Sequence, residues 1–263
     1  MKVICIANQK GGIAKTTTAM AIASLYEKEG MRTLLIDADP QGNASDTYGA
    51  VIEGQTTLYD LILDEERCEP EDAVQHTALG DIIASDPLLR KSEKMLDGEI
   101  DGMFRLKDAL DRLKPLYDIV VIDTAPAINM LLYNCLAAAD DVVIPVSADR
   151  YSIAGLSQLT EAITSMRRRV NPGLSIAGIL VARYSGRANF SKAAKDALEK
   201  DAEAIGTKLF STAVRECIKC QEAQASHMHL IDYAPRCTTA GDYIKIFDEL
   251  KEEIENCRLK RIS

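Results

Sequence analysis

A lysine and two threonines stand at the end of a glycine-rich turn near the start of the chain. The apolar run Lys2-Val3-Ile4-Cys5-Ile6-Ala7 leads into Asn8-Gln9-Lys10-Gly11-Gly12-Ile13-Ala14-Lys15-Thr16-Thr17-Thr18, and a helical pattern follows. A strand, a glycine turn and a helix N-terminus in that order aim backbone N–H groups at an anion. A lysine at position 15 then reaches the β- and γ-phosphates of a nucleotide, and the Thr16 hydroxyl ligates magnesium. Two positions depart from the general phosphate-loop pattern. Gln9 stands where the first glycine is usual, and Ala14 replaces the glycine before the lysine. A methyl group at Ala14 is costly if the backbone there needs a positive φ.

Carboxylates end two further apolar runs. Leu34-Leu35-Ile36-Asp37-Ala38-Asp39-Pro40-Gln41-Gly42-Asn43 is one, and Tyr117-Asp118-Ile119-Val120-Val121-Ile122-Asp123-Thr124-Ala125-Pro126 is the other. Both put acid at the C-terminal end of a parallel strand, where open α/β sheets bind ligands. A magnesium triphosphate needs such groups to hold the water shell of the metal and to orient an attacking water. Asp123 is the natural residue on the metal side, and Asp37 or Asp39 is positioned to polarise the water.

The elements that must carry these groups alternate. Strands are predicted at Lys2–Ala7, Thr33–Asp37, Ile82–Ala84, Ile119–Asp123, Val142–Ser147, Ile176–Ala182 and Lys208–Thr212. Several are nearly continuous apolar runs, as parallel strands covered on both faces require. Helical spacing is found at Thr16–Glu29, Leu88–Leu96, Phe104–Leu113, Leu131–Ala138, Ile153–Val170, Ser191–Ala204 and Tyr243–Cys257. The alternation predicts an α/β fold: a doubly wound, mostly parallel sheet with helices on both faces. Residues 1–263 are expected to form a single ATPase domain. Within it, 42–99 reads as an insertion-like helical region and 240–257 as a packed C-terminal helix.

These motifs resemble the deviant Walker A ATPases of the ParA/Soj partition family, relatives of MinD. Asn8-Gln9-Lys10-Gly11-Gly12-x-x-Lys15-Thr16-Thr17 is similar to that family's phosphate loop. Asp37-Ala38-Asp39-Pro40-Gln41-Gly42-Asn43 is similar to its second box, and Ile122-Asp123-Thr124-Ala125-Pro126 to its Walker B and switch. Pro145-Val146, Gly155-Leu156-Ser157-Gln158-Leu159, Asn171-Pro172 and the stretch from Glu222 to Tyr233 extend the resemblance, which runs from Lys2 to about Glu253. The resemblance implies an ATP- and Mg2+-dependent ATPase that forms a homodimer with two nucleotides sandwiched between protomers. It implies weak hydrolysis until a ParB-like centromere-binding partner and DNA stimulate it. Lys10 would reach across to the partner's nucleotide, and Asp39 would be required for hydrolysis. Gly11, Gly12, Ile13, Ala14, Lys15, Thr16 and Thr17 would hold phosphates. Thr16 would bind the metal directly, Asp37 and Asp123 through water, and Arg183, Val214 and Arg215 would lie at the base. The ATP-bound dimer would bind non-specific DNA on the nucleoid, through candidates Arg167, Arg168, Arg169, Arg187, Lys192 and Lys219.

The chain departs from the family at four places. Ala14 replaces a glycine, Ala125 a proline of the switch, and Val214-Arg215-Glu216-Cys217-Ile218-Lys219 stands where Ile-Pro-Arg-x-x-Arg is common. Val181-Ala182-Arg183-Tyr184 is closer to MinD. A MinD-like positioning ATPase, a metal-cluster carrier and a biosynthetic ATPase of the dethiobiotin synthetase type are the competing expectations on the same fold.

Composition limits the choice. With 31 basic and 40 acidic side chains the net charge is −9, which argues against a surface that is basic throughout and leaves room for a local patch. Seven scattered cysteines, an odd number, make a poor disulfide framework and suit a reducing compartment. The N-terminal apolar run is too short for a signal peptide, and the longest uncharged stretch, Thr124–Ala139, is short for a bilayer, so a cytoplasmic location is expected. Arg167–Arg169 also suit a helix C-terminus. The polar face of the last helix carries Asp248, Glu249, Glu252, Glu253 and Glu255, which favours packing on the protein over binding to anionic lipid. Cys217-x-x-Cys220 is half of a zinc pattern, and thiols without a metal are the expectation.

Overall fold

The structure is a computed structural model. It describes residues 1–63, 68–96, 99, 101–147, 151–184 and 192–262, without the side chains of 93–94, 151–155, 192–194 and 257–262. Among the described residues seven strands form one sheet: β1 (Lys2–Ile6), β2 (Thr33–Ala38), β3 (Val74–Thr77), β4 (Gly80–Ile83), β5 (Ile119–Thr124), β6 (Asp141–Ser147) and β7 (Ser175–Ala182). Their order is β3-β4-β2-β5-β1-β6-β7, with only the β3–β4 pair antiparallel. The expected doubly wound sheet is therefore present, and its parallel strands end together on one edge.

Alternate residues of the apolar strands face opposite layers. Cys5, Ile36, Ile122 and Ile144 belong to one core, with the helices α3 (Leu58–Leu63), α4 (Leu89–Leu96), α5 (Arg105–Leu113), α6 (Met130–Ala138) and α7 (Tyr151–Arg169). Ile4, Ile6, Leu35 and Val121 belong to the other, with α1 (Lys15–Lys28), α2 (Asn43–Tyr48), α9 (Ile218–Ala225), α10 (Leu230–Tyr233) and α11 (Thr238–Ile262). α8 (Lys192–Ala204) packs Leu198 and Ala202 into the first core. Helix α6 begins at Asn129, whose side chain accepts a hydrogen bond from Leu132 N at 3.1 Å, an N-cap that fixes its start.

Three expectations change. The region 42–99 is not wholly helical, because Val74–Thr77 and Gly80–Ile83 form a hairpin that completes the sheet edge. Lys208–Thr212 touches the sheet at a single bridge, Ile179 to Leu209, and does not continue as a strand. Its next backbone groups have another partner: Ser211 N and Thr212 N donate to the Glu249 carboxylate at 2.6 and 3.1 Å. Glycine is needed opposite this segment, since a Cβ on Gly178 would lie 2.5 Å from the Phe210 ring. The last helix starts at Thr238, five residues before the apolar spacing begins, and buries Tyr243, Ile246, Phe247 and Leu250 against the second core.

Candidate functional site

The phosphate loop is clamped at its start. Asn8 donates to Pro145 O at 2.7 Å and accepts from Lys10 N at 3.0 Å, which ties the end of β1 to β6. Gly12 (φ +69) and Ala14 (φ +66) then take left-handed conformations that turn the chain into α1. No side chain caps α1, and its first turn holds no acid, so its N-terminal N–H groups face the cleft with their dipole uncompensated. The Lys15 ammonium folds back to Lys10 O at 3.2 Å across the loop. Burial lowers its pKa, and Asp123 and Asp39 oppose that shift.

Two carboxylates lie beneath the loop on adjacent strands. In the β2–β5 register Asp37 pairs with Asp123, and in the β1–β5 register Ile6 pairs with Asp123. Both acids are fully buried. Asp37 accepts from Asp39 N, Ser45 N and Ser45 Oγ at 3.1, 2.8 and 2.8 Å. Burial still lifts its pKa to about 6, against those hydrogen bonds. Neither Asp123 oxygen makes a well-formed hydrogen bond among the described residues, although Thr16 and Lys15 lie close enough to favour its charge. Burial and then the Asp37 charge push Asp123 well up, with Thr16 and Lys15 offsetting in part. Leaving a buried polar group unsatisfied costs about 1–3 kcal/mol, and a charged one more. A divalent cation removes that cost, and Mg2+ commonly takes one or two carboxylates with phosphate and water oxygens. Thr16, Asp37 and Asp123 therefore fit magnesium.

Above these groups opens a cleft of about 630 Å3, lined by Gly11, Gly12, Ala14, Lys15, Thr16, Thr17 and Asp39 on the phosphate side. Asp39 holds its own loop by accepting from Gln41 N at 3.0 Å, and its carbonyl accepts from Ser85 Oγ at 2.6 Å. Ile13 is buried, so only its backbone faces a ligand. Arg183, Val214 and Arg215 line the opposite wall, as do Glu216, Cys217, Cys220, Gln221, Gln224, Thr239 and Tyr243, which sequence reasoning had not placed there. One signal for them is contact with the loop's helix: Gln224 Nε2 donates to Thr17 Oγ1 at 3.4 Å, and Thr18 Oγ1 lies 3.1 Å from the Tyr243 hydroxyl.

Arg183, itself at φ +55, spans the two walls. Its Nη1 donates to Gly12 O at 2.6 Å, and its guanidinium pairs with Glu216. Arg215, where the family has proline, is fixed by Asp242: backbone N, Nε and Nη2 all donate to that carboxylate at 2.6–3.1 Å. The pairing holds the Asp242 carboxyl below its ordinary range although burial opposes it.

The remaining candidates are spread out. Lys10 Nζ donates to Ser147 Oγ at 2.9 Å, at the end of β6. Lys219 lies near the cleft and pairs with Glu222 at 2.7 Å, with the Tyr233 ring below it. Lys192 opens α8, its side chain outside the described residues, as is all of Arg187. Arg167 donates from Nε to Leu174 O at 2.8 Å, directly before β7 begins. Arg167–Arg169 thus sit at the sheet edge opposite the cleft and do not join Lys219 in one strip. Among the described residues, no group of three or more His, Cys, Asp or Glu is placed to hold a metal ion, and no helix is long and apolar enough to cross a membrane.

Comparison with known proteins agrees with this geometry. A family model described as an AAA domain matches residues 1–176. The chromosome partitioning protein ParA of Myxococcus xanthus is 34% identical over 252 residues, 95% of this chain and 87% of that protein. The sporulation initiation inhibitor protein Soj of Bacillus subtilis is 32% identical over 252 residues, 95% of this chain and 98% of Soj. Among solved structures, cobyrinic acid a,c-diamide synthase from Mycobacterium smegmatis, with bound ADP and magnesium, superposes with a TM-score of 0.74. It is 28% identical and covers 86% of this chain and 93% of its own. A phosphate loop backed by paired carboxylates, on a chain like ParA and Soj over nearly its whole length, belongs to the ParA/Soj family of P-loop ATPases.

Proposed function

We propose that the chain is a DNA-segregation ATPase that dimerises on ATP, binds DNA without sequence preference in that state, and hydrolyses ATP when a ParB-like centromere-binding protein stimulates it. The observation that carries the reading is the buried Asp123 carboxylate, unpartnered beside Asp37 and directly behind Lys15 and Thr16. Likeness to ParA and Soj over 95% of the chain favours partition over a biosynthetic role on the same fold.

Backbone N–H groups from Gly11 to Thr16 bind the β-phosphate, and Lys15 swings from Lys10 O to the β- and γ-oxygens. Thr16 Oγ1, with Asp37 and Asp123 through water, would hold Mg2+, which supplies Lewis-acid neutralisation of the phosphate oxygens. Asp39 orients the attacking water. Lys10 leaves Ser147 and reaches the nucleotide of a second copy, so the charge developing in the transition state is met only after dimerisation. Arg183, Val214 and Arg215 bound the base, with Arg215 held rigid by Asp242.

DNA contact draws on Lys219 near the cleft and on Arg167–Arg169 at the far edge, with Lys192 and Arg187 as further candidates from the sequence. The ATP-bound dimer is expected on the nucleoid. The test is retention on a long arbitrary DNA duplex at low salt with Mg-ATP or Mg-ADP. Binding with ATP alone that weakens steeply as salt rises is expected. In light scattering, Asp39→Ala should accumulate as an ATP-bound dimer and Lys15→Ala should stay monomeric. No DNA binding with either nucleotide, or retention on liposomes instead, would overturn the DNA half of the proposal. A monomeric Asp39→Ala protein in saturating Mg-ATP would overturn the sandwich.

A further inference from the structure

Two thiols on the wall of the cleft take no part in the reading above. Cys217 is the N-cap of α9, in an extended conformation (φ −147, ψ 134), and Cys220 stands one turn further on. Both are half-buried, and both line the cleft beside Arg215 and Gln224. The Cys220 N–H donates to Cys217 O at 3.2 Å. That bond closes a four-residue turn, which brings the two Cα atoms into the span of about 4–7 Å that a disulfide bridges. Neither thiol is in a disulfide. Cys237, the third thiol nearby, caps α11 by accepting from Ala240 N at 3.3 Å.

We propose that Cys217 and Cys220 are a redox-active dithiol, oxidised to an intramolecular disulfide by low-molecular-weight disulfides such as glutathione disulfide, and that nucleotide in the cleft shields it. The shielding rests on the nucleotide reading of the cleft; the dithiol does not. The Cys217 thiolate attacks one sulfur of the small disulfide, forming a mixed disulfide and releasing one thiol. The Cys220 sulfur then attacks the Cys217 sulfur and releases the second thiol. Two electrons pass to the oxidant, and the two protein protons end on its two thiols. Burial pushes the Cys220 thiol up to about 12, which leaves Cys217 to attack first. By linkage, the factor by which the disulfide weakens nucleotide binding equals the factor by which saturating nucleotide shifts the dithiol–disulfide equilibrium toward the dithiol.

The full-length protein is incubated with glutathione disulfide, with and without Mg-ATP, quenched with N-ethylmaleimide and examined by intact and peptide mass. The expected product carries a Cys217–Cys220 disulfide that dithiothreitol reverses. Cys220→Ser should stop at the mixed disulfide on Cys217, Cys217→Ser should form no disulfide in this segment, and Cys237→Ser should form it as the native chain does. At ATP ten times its Kd, with affinity measured separately on reduced protein by fluorescent-nucleotide titration, oxidation should slow about tenfold. Reduced protein that binds ATP but forms no Cys217–Cys220 disulfide overturns the dithiol. A disulfide that forms equally fast under saturating ATP overturns the shielding. A disulfide in a protein that binds no nucleotide upholds the dithiol and overturns the nucleotide reading instead.

Discussion

Ala14 sits at φ +66, ψ 28, at the hinge between the phosphate loop and α1. A left-handed conformation costs a residue with a Cβ about 1–2 kcal/mol and costs glycine almost nothing. Ala14→Gly removes that cost and adds about 0.4–1 kcal/mol of unfolded-chain entropy. The net effect is a gain of about 0.5–1 kcal/mol, which for a chain of this size raises Tm by about 1–4 °C. Ala14→Val moves the other way, because a β-branched residue is poorly tolerated at positive φ. Scanning calorimetry on the three proteins should rank them Gly, Ala, Val from most to least stable. The ranking is read without nucleotide, the state in which Ala14 has this conformation. If the glycine variant melts below the native protein, or all three melt together, Ala14 is not left-handed in solution and the reasoning fails.

Glu27 gives a pH signature. Burial and then repulsion from Asp81 raise its pKa from 4.5 to about 7, with Lys28 offsetting in part. The native state therefore holds this proton more tightly than the unfolded chain, and the stability it adds is complete below pH 4.5 and lost as pH rises through 7. Glu27→Gln should exceed the native protein in urea unfolding by about 1–2 kcal/mol at pH 8, after discounting for partial exposure, with a smaller margin at pH 5; a margin constant with pH would refute this. Gly178→Ala should cost about 1–3 kcal/mol through the Phe210 ring, and Phe210→Leu should recover part of it in thermal melts. Glu249→Ala frees Ser211 and Thr212 and should cost about 1–2 kcal/mol; a variant as stable as the native protein in urea unfolding would discard the contact.

Much of the nucleotide edge was legible in the chain, because its signals are local. The apolar runs that become β1, β2, β5, β6 and β7 have few other ways to be buried; Asp39 directly follows one of them, Asp123 lies near the end of another, and a glycine turn joins β1 to Lys15 and Thr16. Of the hairpin at 74–83, Ile82–Ala84 was legible as a strand and Val74–Thr77 was not. Val-Gln-His-Thr carries one apolar residue, and its strand character comes from pairing with β4. Lys208–Thr212 failed in the opposite sense: it has strand-like residues, but a distant carboxylate, Glu249, takes its backbone donors. The far wall of the cleft was reached only through the resemblance, which named Arg183, Val214 and Arg215 and missed what holds them. Arg215 is defined by Asp242, 27 positions away, and α9 reaches the cleft only because the second core packs it there.

The carboxylate of Asp123 sets folding against function. Its two oxygens are sealed from water without a well-formed hydrogen bond, so they are a local defect at the centre of the sheet. Asp123→Asn would therefore make the chain sturdier in chelator while removing its grip on magnesium. Natural variants should then be constrained at this position from the side of activity alone. The same defect makes the fold a sensor of its own loading: a cation that mends it stabilises β2 and β5 together, since Asp37 and Asp123 are neighbours in register. A cation bound at the cleft edge would thus be felt at the centre of the sheet, across two strands.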